Sequence, residues 1–281
     1  MTTNRDNFEI VRDYYQPDQL DLESWWKIAA IDYKKLIETY PFETILKSFS
    51  KPEIKLLDLG CGTGKFPSLL DRQISSDVCL LSDLFDASEY CLQKSERLFN
   101  ELEHFVTGEK YLSSIENIPL VLTYNNHYDL IWAIHALSTV DKSQMNKVFQ
   151  YLIDLLKPNG KIIVFQLTRQ SSYNSLYNFY INHYPLANAQ NLVTAEDIRS
   201  IFNSLKLNYE TISISFDHKI SPKDRTVLEM YLKKAVLNNE VDVLPLFKEK
   251  LQESYNQQHD QYVLPQQVDL MIVDKNLSQN S

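Results

Sequence analysis

Through "LESWWKIAAIDYKKLIETY" the apolar residues Trp25, Ile28, Ala29, Ile31, Leu36 and Ile37 fall roughly at helical spacing. Pro17 and Pro41 bracket the stretch, which predicts a helix preceded by an irregular aromatic segment, "VRDYYQPDQLD". From Lys51 the texture changes. The runs "IKLLDL", "DVCLLSDLF", "HFVTG", "YDLIWAI" and "KIIVFQL" have strand length, and "GKFPSLLDRQI", "ASEYCLQKSERLFNELE" and "KSQMNKVFQYLIDLL" between them read as helices. Pro67 is tolerable in the first turn of its helix, and "KPNG" supplies a stop signal before the fifth strand. Strands alternating with helices predict a parallel sheet covered on both faces.

The last hundred residues differ. "VTAEDIRSIFNSL" opens with a capping-box pattern, Thr194 and Asp197, and "YETISISF" alternates as a strand should. A mostly helical stretch follows to about Tyr255, and "VDLMIV" closes as a final strand. Two late strands after a five-strand parallel core predict a hairpin-like edge interrupted by a helical insertion. The expected organisation is therefore an N-terminal helical lid over 1–50, a core over 51–170, and over 171–281 the rest of the sheet, with a helical substrate-binding insertion at about 217–265.

Composition narrows the function. The 281 residues are 44% hydrophobic and 23% charged, as in a water-soluble globular chain. No apolar run approaches membrane-spanning length, and "MTTNRDNFEI" has no signal-peptide core. Three cysteines without ligand spacing argue against a disulfide framework or a zinc site, and His127, His183, His218 and His259 form no cluster, so no metal is expected. These features imply the cytoplasm. The net charge of −9, with no basic stripe, excludes nucleic acid as the expected partner. The densest basic spots, Lys233-Lys234 and Lys248 to Lys250, lie in helical stretches containing acids. A small molecule, including a cationic one, fits better.

Three of the five glycines crowd into "LLDLGCGTGKF", at the end of the first core strand. In open α/β sheets that is where ligands bind. A P-loop reading fails because Gly64-Lys65 is followed by Phe66, without the magnesium-binding hydroxyl. A dinucleotide turn of the form G-x-G-x-x-G fails because position 65 is Lys. The spacing G-x-G-x-G at Gly60, Cys61, Gly62 and Gly64, preceded by Asp58, resembles the first motif of the class I S-adenosylmethionine-dependent methyltransferases. That resemblance implies a Rossmann-like, seven-stranded, mostly parallel sheet and S-adenosylmethionine as cofactor. It implies that Asp58 faces the cofactor's amino group and that an acid about 20 residues on holds its ribose. Asp83 and Asp86 both qualify, and "DAS" at Asp86 to Ser88 matches the family's Asp-x-Ser. "YDLIWAIHAL" resembles the segment near the adenine and the methyl, with Ile134 and His135 at its carboxyl end, and "LLKPNGKIIV" resembles the passage into the fifth strand.

From about residue 45 onward the chain is also similar to histamine N-methyltransferase and its relatives, on "SSYNSLYNFYINHYP", "TAEDIRSIFNSLKLNYETISI", "DHKIS" and "LPQQVDLMIV". The similarity implies that His135 and Gln266 contact a substrate amine and that Ser113 or Ser114 lies near the adenine. The group's N-terminal acidic ligand has no counterpart by spacing in "YYQPDQLDLESWW". The expected reaction is methyl transfer to a small molecule at nitrogen. Transfer to oxygen or carbon, or cofactor binding without catalysis, are the alternatives. His135 either exchanges a proton near neutral pH or only hydrogen-bonds backbone at the strand end. Aromatic faces from Tyr14, Tyr15 and Trp25, and from Tyr173 and Tyr177 after the fifth strand, would steady a sulfonium or a substrate cation. Trp26, at helical spacing with Ala30 and Tyr33, reads as core.

Overall fold

The computed structural model describes residues 12, 14–16, 22–75, 77–184 and 190–275. Residues 1–11 of the expected lid, Pro17, and the polar tail after Lys275 lie outside them. Helices α1 (Leu22–Thr39) and α2 (Phe42–Ser48) lead into β1 (Glu53–Leu59), α3 (Lys65–Leu70), β2 (Cys79–Asp86), α4 (Glu89–Phe99) and β3 (Phe105–Leu112). Next come α5 (Ile118–Val121), β4 (Tyr128–Ile134), α6 (Met145–Leu155), β5 (Leu156–Leu167), α7 (Ser172–His183), α8 (Ala195–Ser204) and β6 (Tyr209–Ile220). The chain ends with α9 (Arg225–Val236), α10 (Val243–Leu246), α11 (Lys248–Glu253), the two-residue β7 (Tyr255–Asn256) and β8 (Gln261–Asp274).

The sheet runs β3-β2-β1-β4-β5-β8-β6, with β7 paired to β8. The first five strands are parallel, and β8 is antiparallel to both neighbours. After β1 the chain winds outward to β3 and then crosses back to β4. The carboxyl ends of β1 and β4 therefore part, and a crevice opens there. Strand β4 is buried along its whole length, as its uninterrupted "YDLIWAI" requires of a central parallel strand. One apolar cluster, with Leu36, Phe66 and Trp132, fills the face under α1 to α4; a second, with Ile131, Phe149 and Phe202, fills the face under α5, α6 and α8. A third joins α1, α7 and α9 to α11 around Ile28, Tyr180, Tyr231 and Phe247. No helix among the described residues is long and apolar enough to cross a membrane.

Two elements depart from their expected bounds. Strand β5 starts directly after α6, and "KPNG" is a bulge within it: pairing moves from Tyr128↔Leu156 to Leu130↔Lys161. Pro158 has no N–H to give to a ladder, so the strand accommodates it by letting the extra residues loop out. Strands β6 and β8 pair from Tyr209↔Val273 to Ile220↔Tyr262, so the insertion spans 221–260, not 217–265. Phe216, His218 and Ile220 all point inward on β6, and the polar His218 at an inward position hid the strand's continuation.

Candidate active site

The glycine turn follows from β1 having to reverse tightly at the crevice. Gly60, Gly62 and Gly64 all adopt left-handed conformations, at φ 71°, 54° and 75°. A Cβ on Gly60 would lie 2.4 Å from the Cβ of Ala136, so the first turn residue has no room for a side chain. The turn is tied to β2: Gly60 and Cys61 N–H groups donate to the Phe85 carbonyl at 2.8 and 3.2 Å. Asp86 accepts from Gly62 N at 2.9 Å and from Ser88 N at 2.8 Å, which fixes its carboxylate at the strand end.

A single cavity runs over these strand ends. Of the expected cofactor ligands, Asp58, Gly60, Cys61, Gly62, Asp86, Ser113 and Ile134 line it. Of the expected acceptor ligands, Tyr15, Trp25, His135, Tyr173 and Gln266 line it. Five expected residues do not. Gly64 caps α3, and its missing side chain would point at Ser95 and Leu98. Ser114 caps the short turn before α5. Tyr14 is buried beside Tyr15 instead of lining the opening, and Tyr177 sits one turn beyond Tyr173 on α7. Asp83 lies in the middle of β2, opposite Leu57, where it accepts from Lys55 Nζ (2.7 Å), Glu109 N (2.8 Å) and the Tyr128 hydroxyl (2.8 Å). It is a sheet-binding acid whose two oxygens take three donors.

The part of the cavity lined by α1 and β6 is built around an acid that spacing does not reveal. Asp32 on α1 accepts from His218 Nε2 at 2.6 Å, and His135 Nε2 lies 3.3 Å from its other oxygen, an ion-pair distance without hydrogen-bond alignment. Because the carboxylate must accept, His218 donates through Nε2, and its Nδ1 lies at hydrogen-bond distance, 2.9 Å, from the Tyr231 hydroxyl. Gln266 Nε2 donates to Tyr231 Oη at 3.2 Å, and Gln266 Oε1 accepts from Ser171. Burial pushes the Asp32 carboxyl upward, but His218 and His135 overcome this and hold it below its ordinary range. His135 is left-handed (φ 56°), donates its backbone N–H to the Phe165 carbonyl at 2.8 Å, and sets its ring against Phe165 and Tyr33. Trp26 and Tyr33 line the cavity, stacked on each other, instead of serving only as core. His218 and Lys234 also line it. Asp32 had one readable signal: with Trp25, Ile28, Ala29 and Leu36 it completes the buried stripe of α1, an acid at an inward position. Among the described residues no cluster of His, Cys, Asp or Glu could hold a metal.

A family model described as a methyltransferase domain matches residues 33–212, from α1 through the start of β6, and the chain belongs to that family. The cleft fits S-adenosylmethionine, the cofactor of the class I methyltransferases: Asp58 Oδ2 is buried without a hydrogen-bond partner where an ammonium would satisfy it, and Gly60 and Gly62 line the same cavity. The fold agrees with magnesium protoporphyrin IX methyltransferase from Synechocystis PCC 6803 with bound SAH, at 12% identity over 95% of this chain and 99% of that one, TM-score 0.55. It agrees also with the YcgJ protein of Bacillus subtilis, at 14% identity over 83% and 96%, TM-score 0.54. A malonyl-[acyl-carrier protein] O-methyltransferase of Haemophilus influenzae is 37% identical over 60 residues, 20% of this chain and only 23% of that relative's length.

The two acids of the second strand separate by experiment. Asp83→Ala leaves Lys55 and the Tyr128 hydroxyl buried without their acceptor, and is expected to cost about 3–5 kcal/mol in chemical denaturation. Asp86→Ala, which leaves the Gly62 and Ser88 N–H groups without their acceptor, is expected to cost less, about 1–2 kcal/mol, and to weaken S-adenosylhomocysteine binding about tenfold or more, by loss of charge-assisted hydrogen bonds. The opposite pattern would exchange their roles.

Cofactor binding should also depend on pH. Burial pushes Asp58 up to about 7 and Asp86 up to about 6. Both raised values mean that the ligand-free fold is favoured at low pH and loses that contribution as pH rises through 6 to 7. A ligand ammonium reverses the balance at Asp58, because it needs the carboxylate, so binding below pH 7 must release a proton. The dissociation constant for S-adenosylhomocysteine is expected to rise about tenfold from pH 8 to pH 6. Calorimetry in buffers of different ionisation enthalpy reads the proton directly; a flat profile would refute the assignment of Asp58.

Proposed function

We propose that this methyltransferase moves the methyl group of S-adenosylmethionine to a nitrogen of a small molecule. The observation that carries the reading is Asp32, an ionised carboxylate inside an aromatic-walled cavity and 3.3 Å from His135 Nε2. The resemblance of the sequence to the histamine N-methyltransferase group supports it, and on this reading Asp32 takes the role of that group's N-terminal acid. The faces of Trp25, Trp26, Tyr33 and Tyr173 favour a cationic guest by roughly 0.5–2 kcal/mol each.

The bound cofactor supplies a methyl already activated by its sulfonium. Alignment of the nucleophile with that methyl is the protein's main contribution, and the walls of the cavity provide it. A protonated nucleophile has no lone pair to attack with, so a base must accept its proton. His135 Nε2 is buried without an aligned hydrogen bond and can take that proton. Asp32 then stabilises the imidazolium at ion-pair distance. His218, fixed by Tyr231, keeps Asp32 in place. The same base would serve a hydroxyl, which makes an oxygen acceptor the second reading, since an alcohol or phenol needs deprotonation more acutely than an amine. Incubation with labelled cofactor and a panel of amines, azoles and phenols decides between them. Turnover only on oxygen or carbon would overturn the nitrogen reading, and binding of cofactor without any turnover would favour a non-catalytic role.

A further inference from the structure

Lys234 on α9 is 8% exposed, lines the cavity, and has no carboxylate within ion-pair distance among the described residues. Its ammonium instead sits over the rings of Tyr15 at 4.5 Å and Tyr14 at 5.4 Å. Lys233-Lys234 is one of the densest basic spots of the sequence, and the helix turns its second lysine inward. Burial without an acid pulls its pKa down to about 7. A second donor faces the same space. Tyr173 Oη is buried with no hydrogen-bond partner and lines the cavity, with Tyr14, Tyr15 and Asp32 among its near neighbours.

A buried hydroxyl without a partner, beside a largely buried lysine without an acid, costs stability unless a ligand uses them. An ammonium offers donors only, and a phenol whose proton stays on offers one O–H to an acceptor. The complementary ligand group carries several lone pairs and a negative charge in a small volume, as a carboxylate does. We propose that Lys234 and Tyr173 form a carboxylate subsite, and that the methyl acceptor is an amino acid or related acid, its nucleophile toward Asp32 and His135 and its carboxylate toward α9. The inference rests on the small-molecule reading above and narrows its substrate class. The cofactor carries a carboxylate of its own, so the test must tell the two sources apart.

Benzoate and its neutral analogue benzamide are titrated into the S-adenosylhomocysteine complexes of wild type, Lys234→Met, Lys234→Arg and Tyr173→Phe. In wild type, benzoate is expected to bind at least tenfold tighter than benzamide, the range of one charge-assisted hydrogen bond. Lys234→Met should erase that preference, Lys234→Arg should keep part of it, and Tyr173→Phe should reduce it. Affinity for S-adenosylhomocysteine should be unchanged throughout. Should Lys234→Met fail to fold, the Arg and Phe variants carry the comparison. No benzoate preference in wild type, or one that survives in Lys234→Met, overturns the subsite. A tenfold loss of S-adenosylhomocysteine affinity in Lys234→Met assigns the lysine to the cofactor's carboxylate and overturns the acceptor assignment. Because these are binding measurements, they stand or fall apart from the turnover panel, whose failure would instead sink the nitrogen-methylation reading.

Discussion

Asp32→Asn is expected to lower kcat by about 10²- to 10³-fold while leaving affinity for S-adenosylhomocysteine unchanged. The replacement keeps the size of the side chain and one oxygen, so His218 Nε2–H can still donate to it from 2.6 Å. The other oxygen becomes an NH₂ facing His135 Nε2, now 3.3 Å away. That amide would donate to the lone pair the acceptor's proton needs, and it no longer stabilises the imidazolium that forms. Asp32 is held below its ordinary range, so it contributes stability above the carboxylate range that is lost as pH falls through it. The Asn variant should therefore also melt lower at neutral pH, and melting must be measured beside rate. Single-turnover rates against pH separate the two effects: a purely structural loss lowers the curve evenly, whereas loss of the base partner moves its acid limb. A kcat within about threefold of wild type would remove the His135–Asp32 pair from the chemistry.

The parts of this site that the sequence displays are those written locally. The G-x-G-x-G spacing occupies five positions, and Asp86 follows on the next strand, so one turn and one βαβ unit suffice to place the cofactor end. The part of the cavity around Asp32 is assembled from distant segments. Asp32 and His218 are 186 positions apart and meet because β6 is the outermost strand beyond β8, with α1 packed against it. Their pattern also misleads: an inward His on a strand and an inward Asp on a helix weaken the periodicity by which such elements are recognised. Trp26 shows the converse. Helical spacing identifies an inward aromatic, but whether "inward" means core or cavity depends on what the glycine turn leaves open across from it.

That turn sets up the other large effect. Gly60→Ala is expected to weaken S-adenosylhomocysteine binding at least 100-fold and to cost about 2–4 kcal/mol of stability. The backbone at φ 71° alone costs an L-residue about 1–2 kcal/mol. The remainder is steric: the new methyl would lie 2.4 Å from Ala136 Cβ and 3.3 Å from its Cα, and a Cβ cannot rotate away. Ala136 follows His135, which is left-handed and bonded to Phe165, so pushing Ala136 back also displaces His135. Gly62→Ala provides the control. Its backbone is equally left-handed at φ 54°, but a Cβ there meets nothing within 4 Å, so in stability it should lose only the conformational part, about 1–2 kcal/mol. Adding Ala136→Gly to Gly60→Ala removes the clashing methyl and should recover most of the steric share, though not the backbone share. Thermal denaturation and calorimetric titration of the four proteins test this. Equal damage from Gly60→Ala and Gly62→Ala, or no rescue by Ala136→Gly, would show that the turn is governed by backbone conformation alone, with no contact between the cofactor loop and the strand that carries His135.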